Sequence, residues 1–272
     1  MERVVILYHS GTGSTKVIAE VIYMQMRAKM EAVLVSIEDM RDTALINSFD
    51  YLIIGFPTYH SAPSATIQTW LNALKPFERR KKAFIFTTCG LYSANTLRIF
   101  AKQCRSKNIE VIQSSVYRAP ASDGVLIAPW MKRWYTFEKD IVSKLKKDLE
   151  AVVSLFKDSA NKQSLPRFKL YSVINYPNKL AGSYFSSPIY LFPDQCIRCQ
   201  RCIKKCPHRC FTMDSDSLPQ YRKDNCEHCY RCIHACPNKA LSIHKRCRPS
   251  NQLDARYFEE AFLKISSNIK GE

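Results

Sequence analysis

Short apolar runs and helical stripes alternate along the first 160 residues. Val4–Tyr8 is a β-rich run. The next stretch, Thr15–Met30, carries apolar residues at Val17, Ile18, Val21, Ile22 and Met26, which fall on one face of a helix. Ala32–Ile37 and Tyr51–Gly55 read as the second and third strands, Thr66–Leu74 as a helix and Ala83–Thr88 as a fourth strand. Asn95–Lys107 reads as a helix and Glu110–Tyr117 as a fifth strand. Phe137, Ile141, Val142, Leu145, Leu149, Val152, Val153 and Phe156 mark a last amphipathic helix. Strands and helices alternating at this spacing predict an α/β fold, a doubly wound five-stranded parallel sheet with helices on both faces.

The pattern then changes. Residues 161–193 hold Pro166, Pro177, Pro188 and Pro193 among Tyr171, Tyr176, Tyr184, Phe185, Tyr190 and Phe192. A free linker is rarely so aromatic, so this segment is expected to wrap and pack. The expected division is a first domain over 1–160, the wrapping linker over 161–193, a cysteine-rich domain over 194–248 and a C-terminal helix and tail over 249–272. Tyr257, Phe258, Phe262 and Leu263 predict a closing helix over Asp254–Ile265.

Eight of the twelve cysteines fall into two runs, Cys196-x2-Cys199-x2-Cys202-x3-Cys206-Pro207 and Cys226-x2-Cys229-x2-Cys232-x3-Cys236-Pro237. Three thiolates on such a ladder wrap one face of a 4Fe–4S cubane, and the proline turns the chain so that the fourth cysteine reaches the other cluster. That spacing assigns Cys196, Cys199, Cys202 and Cys236 to cluster 1, and Cys226, Cys229, Cys232 and Cys206 to cluster 2. Structural zinc would use two separated ligand pairs instead. His228 and His234 lie inside the second run beside a full set of thiols and are not needed as ligands. Cys89, Cys104, Cys210 and Cys247 stand outside the pattern.

Composition adds three constraints. The 272 residues, 46% hydrophobic, suffice for more than one core, and no stretch has the run of apolar residues that a membrane span needs. Met1–Leu7 runs straight into the first strand without the features of a signal peptide, so a cytoplasmic protein is expected. The net charge of +17 is spread over both halves and suits an acidic protein partner, an anionic surface or nucleic acid. Arg198, Arg201, Lys204, Lys205, Arg209, Arg222, Lys223 and Arg231 surround the cysteines as a solvated surface or a docking face. No helix-turn-helix or similar element supports nucleic acid.

Of seven glycines, Gly11, Gly13, Gly55 and Gly90 follow or end predicted strands, at the sheet edge where open α/β folds bind ligands. The loop Ser10-Gly11-Thr12-Gly13-Ser14-Thr15 precedes a helix and suits a phosphate monoester. It fits neither the Walker A loop nor the dinucleotide fingerprint, whose third glycine is replaced by Lys16.

This loop resembles the [ST]-x-T-G-x-T phosphate loop of flavodoxins at Ser10, Thr12, Gly13 and Thr15. Gly55-Phe56-Pro57-Thr58-Tyr59-His60 and Thr87-Thr88-Cys89-Gly90-Leu91-Tyr92 resemble the two flavin-flanking loops. With the cysteine runs, the chain resembles the flavodoxin–ferredoxin fusion family: a flavodoxin-like domain followed by a small α+β two-cluster ferredoxin domain. The resemblance implies FMN, its phosphate on Ser10, Gly11, Thr12, Gly13, Ser14 and Thr15. It implies a ring between Pro57, Thr58, Tyr59, His60 and Thr88, Cys89, Gly90, Tyr92. Tyr59 and Tyr92 are stacking candidates or ordinary core and rim; Cys89 packs beside the ring or takes part in redox chemistry. A scaffold without flavin is the alternative.

Two 4Fe–4S clusters and FMN together predict an electron carrier that serves a redox partner protein with an acidic docking face. The alternative is a self-contained reductase of a quinone or nitro compound, with His9, His60 and Tyr92 beside the flavin and Ser122–Trp134 as a lid. A redox-sensing nucleic-acid binder is a third class, suggested by charge alone.

Overall fold

A computed structural model describes residues 2–40, 42–158, 165–170, 172 and 188–270. The first half alternates β1 (Arg3–Tyr8), α1 (Ser14–Met26), β2 (Glu31–Ser36), β3 (Tyr51–Tyr59), β4 (Ala62–Pro63), α2 (Ala65–Ala73), β5 (Lys81–Cys89), α3 (Thr96–Arg105) and β6 (Ile109–Arg118). A short α4 (Gly124–Ile127) and a long α5 (Ile141–Lys157) follow. The strands pair in the order β2-β1-β3-β5-β6, all parallel, with the two-residue β4 turned back antiparallel on β3. This is the flavodoxin-like doubly wound order.

Alternation along each strand divides the core between the two faces of the sheet. Val4, Ile6, Ile53, Phe84 and Phe86 point to the face covered by α1 and α5, while Val5, Leu7, Leu52, Ile54 and Ile85 point to the face covered by α2 and α3. β3 runs four residues beyond the Gly55 boundary expected from sequence. Pro57 closes the strand's register with β5 opposite Thr88, and its carbonyl accepts from Ser64 N–H. The added length carries Thr58 and Tyr59 past the sheet edge, into the region where a ligand would sit.

The cysteine-rich part contains β7 (Tyr190–Leu191), α6 (Arg201–Lys204), β8 (Phe211–Met213), β9 (Pro219–Tyr221), α7 (Arg231–His234) and β10 (Leu241–Ser242). β7 pairs with β10 and β8 with β9, giving two small antiparallel ladders. α8 (Ala255–Lys270) runs five residues past the predicted end at Ile265 and packs on α1 and α5. The same hydrophobic cluster holds Ile18 and Leu145 from the sheet face, Phe258 and Ile265 from α8, and Phe211, Ile233 and Leu241 from the cysteine-rich part. That part is therefore mounted on the α1–α5 face. The aromatic residues Tyr171, Tyr176, Tyr184 and Phe185 lie outside the described residues, whereas Tyr190 contributes to β7. No helix among the described residues is long and apolar enough to cross a membrane.

Candidate functional site: a flavin cavity beside two cysteine sets

The two cysteine runs fold as near copies. Within each, the residue before the second cysteine and the residue after it adopt left-handed backbone: Arg198 and Gln200 in the first run, His228 and Tyr230 in the second. Each run then enters one turn of helix, α6 or α7. After each Cys-Pro, Arg209 and Lys239 are again left-handed. This turns the following amide back on the sulfur, so that Cys210 N–H donates to Cys206 Sγ at 3.3 Å and Ala240 N–H to Cys236 Sγ at 3.2 Å. Non-glycine residues seldom hold this conformation, and its repetition at matching positions shows one local design used twice.

Cys196, Cys199, Cys202 and Cys236 line one pocket, walled by Leu191, Ile197, Pro219 and Leu241. The fourth cysteine of the second run thus faces the first three cysteines of the first run. Cys206, Cys226, Cys229 and Cys232 lie close enough together for their charges to interact, and His228 N–H donates to Cys226 Sγ at 3.4 Å. Both sets pair sulfur donors with backbone N–H groups, and the first adds apolar walls, the donor chemistry that suits an iron–sulfur cluster. The sets differ in exposure. Cys199 and Ile197 of the first are exposed, while Cys229 and Cys232 of the second are buried. Cys210 is also buried, beside Cys206 and Cys226.

A second cavity opens at the carboxyl ends of β1, β3 and β5. Twelve of the fourteen residues expected around FMN line it: Ser10, Gly11, Thr12, Ser14 and Thr15; Pro57, Thr58, Tyr59 and His60; Thr88, Cys89 and Gly90. Gly13 and Tyr92 are not in its lining; Gly13 is buried under Phe258, and Tyr92 is 38% exposed. Hydroxyl pairs fasten the loops to each other, Thr15 to Thr88 at 2.7 Å and Thr58 to Thr87 at 2.9 Å, and Ser14 donates to Pro120 carbonyl at 2.9 Å. Two glycines are forced by contact. A Cβ on Gly11 would fall 1.9 Å from the Tyr59 hydroxyl and 3.3 Å from Cys229 Cβ, and one on Gly13, whose φ is 154°, would fall 2.3 Å from the Phe258 ring. Burial pushes the Cys89 thiol up to about 11, Lys169 only partly opposing it, which keeps the thiol protonated at neutral pH.

Sequence reasoning missed Pro120 and Ala121, which line the cavity just beyond β6 together with Ser122 and Asp123 of the expected lid; the rule that ligands gather at strand carboxyl ends was the available signal. It also missed His228, which lines the same cavity from within the second cysteine run. The segment Ser122–Trp134 folds back on itself. Ala121 N–H donates to Trp134 carbonyl, and the Trp134 ring packs against Gly90 and Gly124. His9 does not reach the cavity lining. It is fully buried, with Nδ1 2.9 Å from Glu38 and Nε2 3.3 Å from Glu227. Burial lowers the pKa of His9, but hydrogen bonds to Glu227 and Glu38 outweigh it and raise the net value.

Arg231 ties the cavity to the cysteines. It belongs to the second run, yet its guanidinium donates to Gly11 carbonyl at 2.6 Å, Ser10 carbonyl at 2.7 Å, Lys205 carbonyl at 3.0 Å and both carboxylate oxygens of Glu38 at 2.6 Å. Burial opposes ionisation of Glu38, but the bonds from Arg231 and His9 bring it down to about 2. Arg231 therefore does not belong to an outward basic face, where the sequence reading had put it. Arg198, Arg201, Lys204, Lys205, Arg209, Arg222 and Lys223 do remain exposed.

Comparison with known families falls on the same two regions. A flavodoxin domain family matches residues 5–119, and a 4Fe-4S dicluster domain family matches residues 195–240. The chain matches a flavodoxin–ferredoxin fusion. Its flavodoxin domain implies FMN, and its dicluster domain implies iron–sulfur clusters, with cysteines clustered between 196 and 236. Among solved structures, it is similar to the two-electron reduced flavodoxin of Megasphaera elsdenii, at 23% identity and a TM-score of 0.38, over 42% of this chain and 84% of that one. It is also similar to oxidised flavodoxin 1 from Bacillus cereus, at 15% identity and a TM-score of 0.43, over 58% of this chain and all of that one. A flavodoxin from the domain Archaea gives 15% identity and a TM-score of 0.42, over 57% of this chain and 99% of that one. No curated relative matches the fusion.

Proposed function

We propose that this flavodoxin–ferredoxin fusion carries electrons between two 4Fe–4S clusters, one FMN and a separate redox enzyme. One observation carries the reading: the second cysteine run is bolted to the phosphate loop through Arg231, with Cys229 packed against Gly11. A cluster on Cys206, Cys226, Cys229 and Cys232 would stand on the flavin side. One on Cys196, Cys199, Cys202 and Cys236 would stand on the outer side, near exposed Cys199 and the basic residues around α6. The cofactors supply the electron chemistry, and the chain sets their order and their distance. Ser10, Gly11, Thr12, Ser14 and Thr15 hold the phosphate. The loops at Pro57–His60 and Thr88–Gly90 hold the ring, and the exposed lysines and arginines attract an acidic partner.

The domain limits proposed from sequence are kept with one addition. Through Phe258, α8 forms part of the surroundings of the phosphate loop and so belongs functionally to the flavin domain. Anaerobic purification with iron, sulfide and flavin analysis tests the reading. It requires about eight iron atoms and one FMN per chain, with two cluster signals in a redox-titrated EPR series. An iron-free protein loaded with zinc would overturn it. Rapid steady-state reduction of a small quinone or nitro compound, well above the rate of free FMN, would instead favour the self-contained reductase.

A further inference from the structure

The buried histidines of this chain divide into two kinds. His9 has Nδ1 2.9 Å from Glu38, and its Nε2, though outside hydrogen-bond geometry, faces the Glu227 carboxylate at 3.3 Å. His234 has Nε2 2.8 Å from Ser122 carbonyl, while its Nδ1 accepts from Leu253 N–H at 3.0 Å. Both are structural. His228 is different: it is 7% exposed, it lines the cavity beside the phosphate loop, and its Nε2 is buried with neither a hydrogen-bond nor an ion-pair partner among the described residues.

A buried imidazole nitrogen with no partner forfeits its hydration without compensation, so folded proteins rarely leave one idle. The backbone does nothing to turn the ring elsewhere. Its left-handed conformation, φ 55°, is the one repeated at Arg198 in the first run, and it spends the His228 N–H on Cys226 Sγ. At the matching position of the first run, the Arg198 side chain is exposed and donates from Nε to the carbonyl of Asp216. The cluster-binding fold therefore needs no histidine here. The histidine ring meets His60 edge-on at 6.0 Å between centroids and Tyr230 at 6.2 Å. His60 belongs to the loop expected to flank the flavin, so the two imidazoles come together from the two halves of the chain at one wall of the cavity.

We propose that His228 is a flavin-contacting residue, whose Nε2 takes a nitrogen or oxygen of the isoalloxazine as its missing hydrogen-bond partner. Either tautomer can serve, because the rim of the ring system offers both donors and acceptors. This rests on the reading that FMN occupies the cavity. The consequence is that one residue touches both redox centres, its amide on a sulfur of cluster 2 and its side chain on the flavin. The second cysteine run thus completes the flavin site as well as holding iron.

The test uses the full chain, purified anaerobically with its iron and sulfide, stripped of flavin and titrated with FMN. His228→Leu should weaken FMN binding about tenfold, the equivalent of one lost buried hydrogen bond, and should shift the flavin absorbance bands. His228→Gln, which restores a polar partner, should recover most of the affinity. Iron content and cluster EPR signals should match wild type in both variants. Wild-type affinity and wild-type flavin spectra in His228→Leu would overturn the assignment, as expected if a water satisfies Nε2. If either variant sheds iron, a crystal structure of the wild-type protein with FMN decides: Nε2 within ~3.5 Å of a ring heteroatom supports the contact, and a longer separation overturns it. Failure of the wild-type, iron-loaded protein to bind FMN at all would remove the flavin reading itself, and this assignment with it. Tight FMN binding indifferent to residue 228 would remove the assignment alone.

Discussion

Arg231→Met should loosen the joint between the cysteine-rich part and the phosphate loop more than any other single truncation there. The Arg231 side chain is 13% exposed and that of Glu38 27%, and their contact is bidentate at 2.6 Å. Removing one member of a largely buried ion pair costs about 3–5 kcal/mol, chiefly because the other charge is left behind. Glu38 keeps some access to water and its bond to His9, which argues for the lower end, about 3 kcal/mol. Three carbonyls, on Ser10, Gly11 and Lys205, also lose their donor.

The assay is a double-mutant cycle of Arg231→Met and Glu38→Gln, read from urea midpoints of the iron-loaded protein under excess FMN. Flavin release reports on the loop and tryptophan fluorescence on the fold. Glu38→Gln in the Arg231→Met background should cost much less than in wild type, giving a coupling of about 1.5–3 kcal/mol. Arg231→Met within about 0.5 kcal/mol of wild type, or an additive cycle, would refute the view that this pair fastens the two parts.

The same pair sets a pH dependence. Because Glu38 is held at about 2, below its ordinary value of 4.5, its contribution is complete above that ordinary value and is lost as pH falls toward 2. Acid unfolding followed by tryptophan fluorescence should therefore be shallower over this window in Glu38→Gln than in wild type. Cys236→Ala should remove the signal of the outer cluster while leaving the inner one, and Cys206→Ala should do the reverse; iron content should drop to about half in each. If Cys236→Ala instead removed the inner cluster's signal, the crossed ligation would be wrong. Gly13→Ala should destabilise by about 1–3 kcal/mol, since the added methyl meets the Phe258 ring and the backbone there is strained for any side chain. Phe258→Ala in that background should recover the part due to the clash but not the backbone strain, which differential scanning calorimetry would resolve.

Sheet order and cysteine pattern were legible because both are written in short-range spacing. Val4 to Leu7 alternate between two faces, and each cysteine run closes within eleven residues, so neighbouring positions already hold the information. The phosphate loop was legible for the same reason, through glycines and hydroxyls packed into six positions. Arg231 was not. In the sequence it is one cation among many beside the cysteines, and its partners lie 193 to 221 residues away, apart from Lys205 at 26. His228 was read as a spare group beside a complete ligand set, since nothing local marks which side of the run a left-handed residue will present. Tyr92 illustrates the opposite error of emphasis. An aromatic in a flavin-type loop suggests stacking, but its position at the surface is fixed by how the Gly90–Ser93 turn leaves β5, which spacing does not encode.

The seating of Phe258 on Gly13 has a consequence in time. The first loop of the chain acquires its final neighbour only from the last helix, so a nascent chain released up to residue 250 contains every predicted phosphate contact without the support beneath them. All eight run cysteines emerge before that support does. Assembly on the ribosome is thus ordered by the fold itself: metal ligands are available first, and a fully packed nucleotide loop comes last. FMN capture by nascent chains stalled on an added C-terminal linker should rise sharply once that linker is long enough for α8 to clear the exit tunnel.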